Sequence, residues 1–418
     1  MVMDFSAYDA VLKDYYTREK VNELSFADQP LFGMVSKRMA GGRRWIQPIE
    51  FNHPGGASAS FALAMANETS SNFEDFQMTQ RQQYQRVLVK HDVLLASRNK
   101  DEAFQPAFKE FDRGFKGLGE KIGKRLYRRN TGAIAQLANS TATTTTLTLA
   151  DKADVFNFQI GMRLKASATN GGATYTGVAT VSGVDDEGGT VTISQNLDAA
   201  FTAPATTCFL YQEGDEQNGG TALCYSGLED WLPVTDRSTR LAASFNGVTR
   251  STSATKLGGV YLNATAMALD EMLIKLVSKV NKHEGKTDTI LMNPETLGDL
   301  QLLENSKRFS IRDISVNVKT DAGAVIGYTG FAANVSGRAV KIIPDRNCPS
   351  NRTYALQLDT WTLWHLGDLP GFFGELMGLP MLKPAETTDS VESRLYGYGD
   401  LGCSAPGWNG VAEHTAST

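Results

Sequence analysis

Gly117-Leu118-Gly119-Glu120-Lys121-Ile122-Gly123-Lys124-Arg125 is the stretch nearest to a phosphate-binding loop. Such a loop needs a glycine five positions before the glycine that precedes its lysine, so that backbone N–H groups can cradle phosphate. It also needs a Ser or Thr after the lysine to hold magnesium. Here the two positions are Leu118 and Arg125, and no strand leads into the segment, so nucleotide binding is not expected. His365 and Asp368 are spaced closely enough for acid–base work. No serine or cysteine nucleophile sits in a recognisable turn beside them, and the expectation for His365 is a structural or interface role. Asp185-Asp186-Glu187 could attract calcium, but its Gly188-Gly189 flank suits a hairpin turn. Cys208, Cys224, Cys348 and Cys403 lack the paired short spacing of a zinc site or disulfide framework and read as free thiols. No enzymatic activity, cofactor or metal is expected.

One charge cluster remains. Between positions 100 and 130 there are nine Lys or Arg (100, 109, 113, 116, 121, 124, 125, 128, 129) and five Asp or Glu (101, 102, 110, 112, 120), a balance of +4. Lys116, Lys121, Lys124, Arg125 and Arg128 are the candidates to face DNA, since weak contact with phosphates requires only positive charge. The competing reading is an ordinary solvated helix face. No aromatic residues interleave, so stacking on bases is not suggested. The whole chain has net charge -5 and a pI near 5.7, which argues against a dedicated nucleic-acid binder.

These residues lie on elements that the patterning defines. From Trp45 to Val89 the chain reads as strand, small-residue tip (His53 to Ser58) and returning strand. Tyr84, Arg86, Leu88 and Lys90 alternate with Gln85, Val87 and Val89 on the return leg. A two-stranded hairpin is marginal in water, so this one is expected to lie along another copy of the chain. Phe104, Phe108, Phe111, Phe115, Leu118, Ile122 and Leu126 recur at spacings of three and four, the stripe of one long helix over about 102 to 130. Gly114, Gly117, Gly119 and Gly123 inside it predict close coverage by other chain, the alternative being a break near 117 to 119.

A Thr-rich connector, Asn139 to Thr146, opens a run of short strands ending near Asp215, an all-β unit of barrel or sandwich type. A second amphipathic helix is expected from Leu262 to Val280, then a strand at Thr289 to Met292. Asn293 and Pro294 should start a helix through Leu297, Leu300 and Leu303. Further strands are expected at Ala339 to Ile343, Tyr354 to Trp364 and Val391 to Tyr398. This unalternating mixture predicts an α+β fold. Residues 8 to 40 read as a polar arm with helical turns at Val11, Leu12, Tyr15 and Tyr16. Met1 to Ser6 has no signal-peptide pattern, and no apolar run approaches the roughly 18 residues that cross a bilayer, so no membrane partner and a cytosolic origin are expected.

This order of parts resembles the major capsid proteins of tailed bacteriophages, whose fold is shared by encapsulins and herpesvirus capsid floors. The stretches carrying the likeness are Pro30-Leu31-Phe32, Gly55-Gly56-Ala57-Ser58-Ala59-Ser60-Phe61, Met292-Asn293-Pro294-Glu295-Thr296-Leu297 and Gly397-Tyr398-Gly399-Asp400-Leu401-Gly402. The resemblance implies an N-terminal arm (1–42), an extended loop (43–98), the spine helix of a peripheral domain (99–139) and an inserted β-domain (140–215). A connector (216–257), an axial domain (258–365) and a peripheral return (366–418) would follow. It implies hexamers and pentamers closing as an icosahedral virion shell around double-stranded DNA, built in host cytoplasm. A portal and a decoration protein would be further partners. Because the arm begins almost at once, a separate scaffolding protein is expected. Arg43, Arg44, Trp45 and Phe61 are the candidate intersubunit contacts. Some family members cross-link through a loop lysine, but this chain has none between Lys37 and Lys90, so no covalent mesh is expected. An encapsulin-like compartment is the near alternative. A tail-tube protein would explain 140–215 but not the long helix, and a hydrolase built on His365 has nothing assembled around it.

Overall fold

The computed structural model describes residues 17–26, 28–90, 105–139, 143–202, 204–217, 219–307, 311–319, 325–335, 337–372, 383–385 and 388–416. One unbroken helix, Gln105–Tyr127, organises the main body. Phe111, Phe115, Leu118, Ile122 and Leu126 bury its apolar stripe. Phe104 and the side chain of Phe108 lie outside the described residues. The helix does not break at its glycines, because three of the four are contact points. A Cβ on Gly114 would lie 2.3 Å from Val87, one on Gly119 2.2 Å from the Ser25 carbonyl oxygen, and one on Gly123 2.1 Å from Gln29 Oε1. Gly117 faces open space.

The four glycines therefore predict substitutions of opposite sign. Gly117→Ala should stabilise by about 0.5–1 kcal/mol through helix propensity alone. Gly119→Ala should destabilise by about 1–3 kcal/mol, because its methyl displaces backbone. Urea midpoints of the two variants check both.

The segment against Gly119 is the helix Arg18–Phe26, so residues 18–40 are not a detached arm. Val21, Phe26, Leu31, Phe32 and Val35 are buried in the main core, and strand β1 (Ser36–Met39) runs parallel to β17 (Trp361–His365). Val11, Leu12, Tyr15 and Tyr16 lie outside the described residues. The expected hairpin is also rearranged. Strand β2 (Arg44–Asn52) pairs with β3 (Asn72–Thr79), forming a two-stranded ribbon. The following strand β4 (Arg81–Lys90) alternates as expected, with Val87 and Val89 inward, but its partner is β20 (Ser390–Cys403). Alternation identifies which face is buried and carries no information about the partner. On its other edge β20 takes β17, β18 (Gly371–Phe372) and β19 (Lys383–Pro384) in turn.

A seven-stranded sheet forms the second layer, in the order β11 (Val260–Asn263), β21 (Gly410–Glu413), β16 (Arg352–Leu356), β12 (Thr289–Met292), β15 (Arg338–Pro344), β14 (Val325–Val335) and β13 (Ile311–Lys319). Three expectations change here. Leu262 lies in β11, and the helix begins only at Leu269, running to Lys282 with Asp270 and Glu271 in its first turn and Lys279 and Lys282 in its last. The run Tyr354 to Trp364 is two strands in two different sheets, divided by a tight turn at Leu358–Thr360. Residues 410–413 belong to this sheet rather than to the peripheral return. The Asn293 cap is as expected: its Oδ1 accepts from the Glu295 N–H at 3.0 Å, ahead of the helix Pro294–Lys307.

The all-β unit is a closed barrel. Its order is β5 (Ala133–Gln136), β10 (Phe209–Gln212), β7 (Arg163–Ser167), β8 (Ala179–Asp185), β9 (Thr190–Ile193) and β6 (Thr146–Thr148). An antiparallel bridge between Leu137 and Leu149 joins β6 back to β5, with Ala138 N–H donating to Thr148 O at 3.0 Å. The barrel thus starts at Ala133, ahead of the Thr-rich connector, so 133–139 does not extend the helix. Asp185-Asp186-Glu187 lies at the turn between β8 and β9, where Gly189 adopts φ +63°.

Candidate assembly surface

The ribbon β2–β3 has two distinct ends. At its root Trp45, Ile49, Phe76 and Met78 face the core and are buried. Trp45 stacks on Trp364 with centroids 6.4 Å apart. Towards the tip no described residue outside the ribbon buries it. The tip carries a short helix, Phe61–Ala66, in which no residue is buried. Phe61, Leu63 and Met65 are 80%, 57% and 62% exposed. The tip folds on itself through backbone and side-chain bonds from Gly55 N–H to Thr69, both 3.0 Å. The outer ribbon face adds exposed Ile46 and Phe73. From 50 to 75 the ribbon has four carboxylates (Glu50, Glu68, Glu74, Asp75) and neither Lys nor Arg.

Single apolar side chains on a surface are ordinary. Three on one six-residue helix at the end of an unpaired ribbon are a surface awaiting cover.

The chain matches no protein-family model and no curated relative. Among solved structures it is similar to a subunit of the cyanophage A-1(L) capsid, at 11% identity over 93% of this chain and 92% of that one, with a TM-score of 0.52. The chain has the phage major-capsid fold. Also similar are a capsid chain of the native GTA particle (8% identity, 93% and 91% covered, TM-score 0.45) and an encapsulin of Synechococcus elongatus (8%, 100% and 98%, TM-score 0.44).

On this capsid fold the four candidate contact residues separate. Phe61 is at the bare tip, and Arg43 and Arg44 are exposed at the ribbon root. Trp45 is an internal anchor, spent on Trp364 and the core.

The basic stripe of the long helix is similarly redirected, because its cations have internal partners. Lys116 reaches Asp28 at 2.7 Å. Lys121 and buried Arg125 converge on Asp215 at 3.0 and 2.7 Å. Burial pushes the Asp215 carboxyl up, and Arg125 and Lys121 outweigh it and hold the group below its ordinary range. Lys124 donates to Phe156 O at 2.9 Å, with burial lowering its pKa to about 8. Arg128 pairs with Asp154. In this structure these cations tie the helix to the N-terminal segment and the barrel instead of forming a solvated stripe.

A buried ionic knot, which the sequence did not signal, joins segments distant in sequence. Glu229 accepts from Arg352 at 3.0 Å and from Arg240 at 3.5 Å. Its neighbour Asp230 accepts from Arg240 at 3.0 Å and from the Asn130 N–H at 2.6 Å. Burial alone would raise the Glu229 pKa; the Arg352, Arg240 and Arg129 charges reverse that and bring it to about 2. These residues are scattered from 129 to 352, and only folding brings them together.

His365 is buried in β17 with Nδ1 2.7 Å from the Gly367 carbonyl oxygen. All four cysteines are free and buried. Among the described residues no group of three His, Cys, Asp or Glu side chains is placed to hold a metal.

Proposed function

We propose that the chain is the major capsid protein of a tailed bacteriophage, assembling as hexamers and pentamers into an icosahedral shell around double-stranded DNA. The observation that carries this reading is the bare tip helix Phe61–Ala66 on a ribbon rooted in a phage major-capsid fold. An element that buries nothing within its own chain gains stability by burying its apolar face against a neighbour, and copies related by closed symmetry supply that neighbour repeatedly. The outer face of β4 is the candidate partner surface: Tyr84 and Leu88 are exposed there beside Lys90 and beside Arg86 and Arg394, which share the single carboxylate of Glu392. Its cations suit the acidic ribbon. A separate scaffolding protein would guide closure, with a portal at one vertex and a decoration protein outside. The acidic chain would hold its DNA loosely, consistent with packing and ejection.

Electron microscopy of purified particles, with extraction of their contents, tests the proposal. Closed icosahedral shells containing double-stranded DNA are expected. Shells containing protein would reassign the chain to a compartment, and a small discrete oligomer formed even with scaffolding protein would overturn the shell reading. On a denaturing gel the same particles should run as single chains without a ladder of cross-linked species, since the ribbon has no lysine to cross-link.

A further inference from the structure

The barrel's apolar core, including Leu147, Leu164, Val181, Val191 and Leu210, is separate from the core around the long helix. The contacts that join the two bodies are polar. The chain crosses between them at one place, where Gly132 (φ +93°) passes so close to the outgoing strand that a Cβ would lie 2.0 Å from Asp215 O. Arg125 bonds both crossings there, donating to Gly132 O and to the Asp215 carboxylate at 2.7 Å each.

Among the described residues, the attachment apart from this crossing and the adjacent Thr131 Oγ1 bond to Asn170 Oδ1 (2.5 Å) runs through the short turn Lys152–Asn157 and its cap Asp151. Asp151 accepts from Ser350 Oγ at 2.7 Å and from the Ser350 N–H at 3.2 Å. Asp154 pairs with Arg128, and Lys124 donates to Phe156 O. Between barrel and body lies a cleft of about 500 Å³, with Gln136, Asn170 and Phe209 on the barrel side and Thr239, Arg240 and Asn351 on the body side.

We infer that the barrel is a swinging unit, pivoting at the Gly132–Asp215 crossing and held in this position by the Asp151/Asp154 turn acting as a releasable clasp. Two merged apolar cores would have to expose area to water on moving. Here, polar contacts can be exchanged for water, and the cleft leaves room for the motion. Inter-domain contacts of this polar kind permit relative movement.

The test uses the unassembled full chain, so it is independent of whether the chain forms shells. Spin labels on Glu187→Cys in the barrel and Lys275→Cys in the body report one distance, and the native cysteines are buried and stay unlabelled. The parent chain should give one narrow distance distribution by electron–electron double resonance. Asp151→Asn with Asp154→Asn should broaden it, roughly doubling its width, and Ser350→Ala should broaden it less. Amide protection of barrel residues such as Val181 and Leu210 should persist in both variants, because the barrel moves without unfolding. An unchanged narrow distribution in the Asp variant, or loss of that protection, overturns the proposal. If the Asp variant fails to fold, Ser350→Ala decides, and an unchanged distribution there overturns it equally.

Discussion

Phe61→Ser, Leu63→Ser and Met65→Ser introduced together should leave the subunit folded and stop it forming shells. None of the three is buried in the isolated chain, so their loss removes no contact from either core. Surface substitutions away from structural features change stability by about 0.5 kcal/mol or less, and the urea midpoint should move by no more than that. Each side chain, once buried against a neighbour, contributes about 1.5–3 kcal/mol. Three together are worth about 4.5–9 kcal/mol per contact, or about a thousandfold or more in association. In a closed shell the loss recurs at every copy. Sedimentation velocity with scaffolding protein present should show free subunits or small oligomers only. Normal shells from the triple variant would mean that the tip helix is not the contact that builds them.

Glu229→Ala should be the most damaging single substitution in the body, at about 3–5 kcal/mol, because it leaves Arg352 and Arg240 buried without their shared carboxylate. Removing one partner of a buried ionic cluster costs far more than the cluster contributes relative to an apolar replacement. The pH dependence is fixed in sign. The folded Glu229 carboxyl sits at about 2, below its ordinary value of about 4.3. Its contribution is therefore fully present above that value and lost as pH falls toward 2, to the extent of about 3 kcal/mol. Urea unfolding between pH 5 and pH 2.5 should show the parent losing most of this increment and Glu229→Gln lacking it. Parallel curves for the two chains would show that the carboxylate is not held ionised by the arginines.

The long helix was legible because a seven-member stripe at helical spacing has one explanation, and three of its four glycines marked real contacts. The Asn293-Pro294 helix start was legible because a cap is local chemistry. What the sequence hid was pairing. Strand β4 has the alternation of a ribbon leg and lies instead along β20, 300 or more residues away in sequence. The apolar run at Val260 to Leu262 blends into the helix that follows, because its strand partner is distant. The hairpin β13–β14 went unread. Trp45 and Phe61 look alike in the sequence, yet one is buried at the ribbon root and the other exposed at its tip, because what packs above an aromatic side chain leaves no local mark. The partners of the basic stripe were hidden for a related reason. Asp215 and Asp154, which engage Arg125 and Arg128, are supplied by the barrel and its exit and carry no local mark.

The place of β21 bears on the order in which the subunit is completed during synthesis. Val260 lies beside Gly410, 150 positions further along, and β21 is the link between β11 and β16. Segments that emerge early from a ribosome fold as units when their partners have already been made. The barrel, whose strands span 133 to 212, satisfies that condition while the seven-stranded sheet is still being translated. Strand β11 must wait for its neighbour, and loop closure over that length is slow. A nascent chain would thus carry a finished barrel and an unfinished seven-stranded sheet, and only a chain elongated through Glu413 would have β11 and β16 joined.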